Sequence, residues 1–147
     1  MAAYTITASE VTPVSGGDSP SQIKYGVMAG VAITAGQSLY LDATTNTLKL
    51  AQADGTAAEA DCVGVAINSS AAGQPCAYVW QGDVNLDTAA LTGASKGEIA
   101  SLGATAGAIY PNEDVQTTER VVTIGTMKTS NPGVLKVSIN NTGITHV

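Results

Sequence analysis

The sequence predicts an all-β protein, a compact β-barrel or sandwich with an extended N-terminal arm and little helix. Three observations predict it. Short apolar runs alternate with polar residues at the two-residue period of a half-buried strand. Clusters of Gly, Pro, Asn and Ser punctuate these runs at regular intervals, as turns do in antiparallel sheets. The chain also echoes itself weakly. Ala35-Gly36-Gln37-Ser38-Leu39-Tyr40, Leu48-Lys49-Leu50, Val63-Gly64-Val65-Ala66 and Gly73 to Val79 have looser parallels downstream. These are Ala106-Gly107-Ala108-Ile109-Tyr110, Arg120-Val121-Val122, Ile124-Gly125-Thr126-Met127 and Gly133 to Val137. The duplicated spans are about residues 35–86 and 106–140. Both consist of packing and turn residues and neither carries a set of reactive groups, so the repeat reads as architecture.

The elements follow in order. Residues 1–25 read as an arm: Tyr4-Thr5-Ile6-Thr7-Ala8 alternates like a short strand, and Pro13, Gly16, Gly17 and Pro20 punctuate a loop. Residues 26–147 read as one β-rich domain. Val27 to Ile33 is apolar and interrupted by Gly30. In Ser38-Leu39-Tyr40-Leu41-Asp42 the two leucines share a face, and Thr44-Thr45-Asn46-Thr47 turns the chain back into Leu48-Lys49-Leu50, a hairpin pattern. Val63, Val65 and Ile67 are expected on one face of the next strand, with Gly64 and Ala66 on the other. Cys76 to Leu86 is long enough for one strand, with Tyr78 and Trp80 on one face. Asp87 to Leu91 and Ser95 to Leu102 are the two candidates for a helical turn, Asp87 serving the first as N-cap. Val121 to Met127 and Val134 to Ile139 are strands about an Asn131-Pro132-Gly133 turn. Asn140 to Val147 reads as a polar tail.

Composition bounds the function. The 147 residues suit one domain with one core. Hydrophobic residues make up 44% but include no Phe, so the core must come from Val, Ile, Leu, Ala and Tyr. Charged residues are only 12%, about half the usual share. Either other subunits cover part of the surface, or Thr, Ser, Asn and Gln keep it soluble. The net charge is −6, and the six Lys and Arg are scattered. Nucleic-acid binding rests on clustered cations, and docking on anionic membranes on the same, so no nucleic-acid and no membrane partner is expected. The N-terminus has no basic start and no apolar run of a secretory signal, and no stretch has the length of a membrane span.

The side-chain inventory points away from catalysis. The single histidine, His146, lies at the end of the chain, which leaves no Ser-His-Asp or Cys-His arrangement. There is no His-Glu-x-x-His, paired Cys-x-x-Cys or Gly-x-Gly-x-x-Gly. Leu91 to Gly97 lacks the spacing of a phosphate loop. The carboxylates group as Asp54, Glu59 and Asp61, as Asp83 and Asp87, and as Glu113 and Asp114, with spacings that match no calcium loop. An acidic pair of the glycosidase kind stays open on spacing alone, but a chain with 4% aromatic residues has few platforms for a sugar. Cys62 and Cys76 read as buried free thiols in a protein made in cytoplasm, with a cross-strand disulfide as the alternative. Asn68-Ser69-Ser70 and Asn140-Asn141-Thr142 fit the glycosylation pattern, which has no consequence without secretion. Trp80 reads as core, with a binding hot spot as the alternative. No catalytic residue, cofactor or metal ligand is expected.

The run Ala35-Gly36-Gln37-Ser38-Leu39-Tyr40-Leu41-Asp42, followed by Leu48-Lys49-Leu50-Ala51, Val63-Gly64-Val65-Ala66 and Gly73-Gln74-Pro75-Cys76-Ala77-Tyr78-Val79, resembles the head decoration proteins of tailed bacteriophages, also called capsid cement proteins. The resemblance covers residues 25–86, and the duplication departs from it. It implies a β-rich protein on the exterior of the virion capsid, made in the host cytoplasm. Such proteins commonly form homotrimers at local threefold positions, bridging neighbouring major capsid protein subunits against the pressure of packaged DNA. Under this reading, alternation and position make Tyr4, Ile6 and Val11 of the arm the expected capsid contacts. Two other readings are a tail, baseplate or fibre-associated β-domain with a receptor-binding role, and a small hydrolase using Asp and Glu.

Overall fold

A computed structural model of the chain describes residues 2–112 and 116–147. The fold is all-β. A 3-10 turn, Ala8–Glu10, precedes ten strands: β1 Thr12–Pro13, β2 Gln22–Met28, β3 Ser38–Asp42, β4 Thr47–Leu50, β5 Cys62–Ala66, β6 Pro75–Asp87, β7 Ile99–Leu102, β8 Ile109–Pro111, β9 Arg120–Ser130 and β10 Gly133–Thr145. They form one antiparallel sheet in the order β4-β3-β5-β6-β10-β9-β7-β8. Strands β1 and β2 add to β6. Two-sided pairs fix the edges: Gln81 pairs with both Gln22 and Ser138, and Val84 with both Pro13 and Leu135. One edge of β6 therefore carries β1 and β2, the other β5 and β10.

The sheet curls into a half-barrel. Its two end hairpins meet: Ser38 N–H donates to Gly107 O (2.9 Å), Gly107 N–H to Ala51 O (2.8 Å) and Ala53 N–H to Gly103 O (2.9 Å). The concave side encloses the main core, with Val65, Val79, Val84, Leu86, Leu102, Ile109, Val122, Ile124, Met127 and Leu135 all buried. A smaller core of Ala29, Ile33, Leu39, Leu48, Ala66, Cys76 and Tyr78 lies apart from it, under the chain that follows β2.

One turn recurs at the entrances to strands. In residues 34–37, 71–74, 95–98 and 116–119 the fourth residue's N–H donates to the first residue's carbonyl. The third residue lies at positive φ: Gly36 +93°, Gly73 +85°, Gly97 +86° and Thr118 +76°. This is the pattern of a type II turn, which demands positive φ at its third position and therefore favours glycine. In all four the fourth side chain, Gln37, Gln74, Glu98 or Glu119, reaches back to accept the first residue's N–H at 2.8–3.1 Å. The turns lead into β3, β6, β7 and β9, and in the first three a short Gly-Gln or Gly-Glu signal marks the start of the strand.

The strand pairing repeats. Adding 61 to each residue number turns the β3–β4 pairs Leu39–Leu50, Tyr40–Lys49 and Leu41–Leu48 into the β7–β8 pairs Ala100–Pro111, Ser101–Tyr110 and Leu102–Ile109. The same addition turns the β3–β5 pairs Ser38–Val65, Leu39–Gly64 and Tyr40–Cys62 into Ile99–Thr126, Ala100–Gly125 and Ser101–Thr123, with the register shift at the same place. The Gly36 N–H to Ala66 O bond (2.8 Å) becomes Gly97 N–H to Met127 O (2.7 Å). Adding 60 to β2 and 57 to β6 turns Ile23–Val79, Lys24–Tyr78 and Val27–Cys76 into Asp83–Lys136, Val84–Leu135 and Asp87–Gly133. The first repeat is thus β2, β3, β4, β5 and the start of β6. The second is the end of β6, β7, β8, β9 and β10, and the long strand β6 belongs to both. The equivalence sets β3 against β7, whereas the sequence echo set Tyr40 of β3 against Tyr110 of β8.

Several local expectations are corrected. Ser95–Leu102 is no helical turn: Gly97 completes a type II turn and Ile99–Leu102 is strand β7. Asp87 caps no helix either, but ends β6 and accepts Ala89 N–H at 2.8 Å. The supposed polar tail continues β10 to Thr145, paired with β9 as far as Arg120. The boundary drawn after residue 25 falls inside β2. Val63 and Val65 do not share a face. Leu39 pairs with Gly64 but Tyr40 with Cys62, so Val63 is the extra residue of a bulge. Cys62 and Val65 consequently join the main core, while Val63 and Ala66 join the smaller one.

Candidate functional site

The residues expected to contact a capsid lie against the protein itself. Tyr4 is 5% and Val11 6% exposed, and Ile6 is half-buried. Tyr4 N–H donates to Ile109 O (2.9 Å), and its hydroxyl to Glu98 Oε1 (2.6 Å). Ile6 and Val11 lie over Gly36, where a Cβ would touch both side chains. The three residues therefore join the turn before β3 to the equivalent turn before β7. Neither Tyr4 nor Val11 is available to another molecule while the segment stays docked.

Farther along, the segment is held by charge. Lys128 on β9 places Nζ 2.5 Å from Asp18 Oδ1 and 2.7 Å from Asp83 Oδ2. Asp83 is buried in β6, whereas Asp18 is exposed. The hydrogen bond and charge of Lys128 hold the Asp18 carboxyl below its ordinary range, and the two carboxylates hold Lys128 above its own. Ser21 adds a second tie: its hydroxyl donates to Asp83 O and accepts Val14 N–H. Sequence reasoning missed this clamp because its three charges are scattered through the chain, and only the approach of the 14–21 loop to β6 and β9 joins them.

Cys62 and Cys76 are both free and buried, in different cores. Burial pushes the Cys62 thiol up to about 12 and raises that of Cys76. A thiol so shifted carries almost no thiolate near neutral pH and is inert as a nucleophile. The carboxylate groups are engaged singly. Asp54 accepts from Gln52 (3.1 Å), Glu59 closes a turn onto Thr56 N–H (3.1 Å), and Asp83 and Asp87 have the separate partners given above. Glu113 and Asp114 lie outside the described residues. Among the described residues no three His, Cys, Asp or Glu side chains gather as a metal site, and no helix is long and apolar enough to cross a membrane.

The surface depressions are shallow. One, of about 260 Å³, lies where the arm meets the two end hairpins and is lined by Tyr4, Ile6, Gln37, Thr105 and Ile109 without a charged group. A second, of about 420 Å³, is lined by Val63, Trp80, Gln81, Ser138 and Ile139. It opens where β6 leaves β5, at Val79, and takes up β10, at Gln81. Trp80 stands there 41% exposed, outside the core in which sequence reasoning placed it, while Tyr78 is buried. Tyr25, Met28, Ile99 and Ile144 also expose large apolar side chains. The molecule therefore offers surfaces for contact, with Trp80 and Tyr25 as its largest exposed apolar groups.

No protein-family model and no curated protein matches the chain.

Proposed function

We propose that this chain is a structural virion protein, without enzymatic activity of its own, that binds the outside of a phage capsid. There it cements neighbouring major capsid protein subunits against internal DNA pressure. The observation that carries this reading is where the resembling residues lie. Ser38–Asp42, Val63–Ala66 and Cys76–Val79 occupy β3, β5 and β6, three adjacent strands of the first repeat. Two features support it. The exposed Trp80 and Tyr25 are of the residue types that anchor protein interfaces. The single curled sheet has a filled interior, as a load-bearing protein requires. In the docked state contact falls to such exposed groups. Contact through Tyr4, Ile6 and Val11 requires the arm to leave the domain.

Immunogold electron microscopy of intact particles, with an antibody to this protein, is the test. Dense label over heads supports the reading, and particles lacking the protein should then lose their DNA at lower temperature. Label confined to tails replaces it with a tail or baseplate role. An abundant protein that labels no particle overturns it.

A further inference from the structure

The N-terminal arm is held in two unlike ways. From Val11 onward it is built into the fold. Val11 lies in the main core, Thr12 and Pro13 pair with Asn85 and Val84 of β6, and the 14–21 loop is tied by Ser21 and clamped by Lys128. Residues 2–6 form no strand. Thr5–Thr92 is an isolated bridge, with Thr5 N–H to Thr92 O at 3.3 Å, and Tyr4 N–H donates to Ile109 O at 2.9 Å. The depression of about 260 Å³ runs beside Tyr4 and Ile6, so this segment packs incompletely against the end hairpins. Between the two parts stands Thr7, exposed and extended at φ −98° and ψ 118°. It leads into the 3-10 turn, where Glu10 N–H bonds to Thr7 O and Val11 N–H to Ala8 O. The seam under residues 2–6 closes without them, because Ser38 N–H to Gly107 O and Gly107 N–H to Ala51 O join the end hairpins directly. A chain end without a strand ladder opens at lower free energy than the sheet it rests on.

We propose that residues 2–6 are a strap that opens about Thr7, and that its docking on the body is an autoinhibitory contact. Closed, the strap sets Tyr4 against Glu98 and Ile109 and lays Ile6 on the Gly36 turn. Open, it offers both side chains to one surface, since residues two apart share a face of an extended segment. Val11 stays in the core and is no contact. The strap carries no charged side chain, so the surface it fits is an apolar strip with an acceptor for the tyrosine hydroxyl. A partner that needs the open strap binds in proportion to the open population, so a stable closed state weakens its attachment by that fraction. That this partner is the major capsid protein rests on the capsid reading above. The opening of the strap does not.

Hydrogen exchange of the full chain tests the strap in solution. The Tyr4 and Thr5 amides should exchange about tenfold or more faster than those of Ser38 and Gly107, which close the seam beneath them. Equal rates would show that the arm opens together with the sheet, and would overturn the proposal. The double variant T5C/T92C staples the strap shut, because the two positions face each other across the bridge and the native Cys62 and Cys76 are buried. On heads that lack the protein, the oxidised variant should bind about tenfold more weakly, or worse, than the same variant after reduction. Equal binding of the two forms overturns the autoinhibitory contact and leaves the capsid reading standing. Failure of both forms and of the parent to bind heads overturns the capsid reading, and the exchange rates then decide the strap.

Discussion

The first repeat closes its edge hairpin with its own chain, whereas the second borrows the N-terminus. Gly30 N–H donates to Leu48 O (2.8 Å) in the first. In the second the equivalent carbonyl, Ile109 O, accepts from Tyr4 (2.9 Å), some hundred positions earlier in the sequence. Two near-identical pairing schemes are thus completed by segments of different origin. The second repeat is completed by the arm, and the first by the chain that follows β2, through the Ala29–Leu48 bridge. The lesson is that the repeat is specified by turns and close approaches, while its borders are filled by whatever chain is within reach.

The equivalent glycines Gly64 and Gly125 probe this most severely. A Cβ on Gly125 would run into the main chain at Lys136, whereas one on Gly64 meets the Tyr78 ring together with the Val79 carbonyl. Backbone yields less than a side chain, so Gly125→Ala should cost about 3 kcal/mol and Gly64→Ala about 2 kcal/mol in urea unfolding. Equal losses would mean that the two β-bulge sites are packed alike.

The type II turns come next. Gly36→Ala and Gly97→Ala both force an L side chain to positive φ, a cost of about 1 kcal/mol each. At Gly36 the new methyl also meets Ile6 and Val11 of the arm, while at Gly97 it meets nothing. Gly36→Ala should therefore be the worse by about 1 kcal/mol. A variant lacking residues 2–13 should erase that difference, although it strips Tyr4 and Val11 from the core and lowers stability throughout.

Thr118 breaks the glycine rule of the other three turns, a β-branched residue at φ +76°. Thr118→Gly should stabilise the protein by about 1 kcal/mol, read as a higher midpoint of thermal unfolding. A lower midpoint would show that the hydroxyl or methyl of Thr118 contributes more than the strain costs.

The clamp should give the smallest effect, because Asp18 is exposed and screened by solvent. Its folded carboxyl titrates below its unfolded value, so its contribution is present at neutral pH and is lost as pH falls through the carboxylate range. Asp18→Asn should lower stability slightly at pH 7 in low salt and match the parent in acid. A difference that grows on acidification would contradict this assignment.

What was legible in the sequence was local. Alternation and punctuation gave the all-β class, the β3–β4 hairpin and the reach of β6, because a strand's two-residue period and a turn's glycine are written within a few positions. Ala35-Gly36-Gln37 and Gly73-Gln74 stood out for the same reason: positive φ and a side chain reaching three residues back are both short-range. The helical reading of Ser95–Leu102 failed on just this point, since Gly97-Glu98 is the same turn signal in a less apolar setting. The exposure of Trp80 was invisible, because it follows from β6 changing partners at Val79 and Gln81.

By itself, then, the sequence determined strands, turns and a side-chain inventory poor in reactive groups, all properties of neighbouring residues. Only the tertiary structure decided how the repeats align, that β6 serves both, that Tyr4 and Val11 are covered, and that Lys128 joins Asp18 to Asp83. These rest on pairings between residues far apart in the chain. Such pairings are chosen by the collective fit of the whole sheet around its core, and no single segment encodes them.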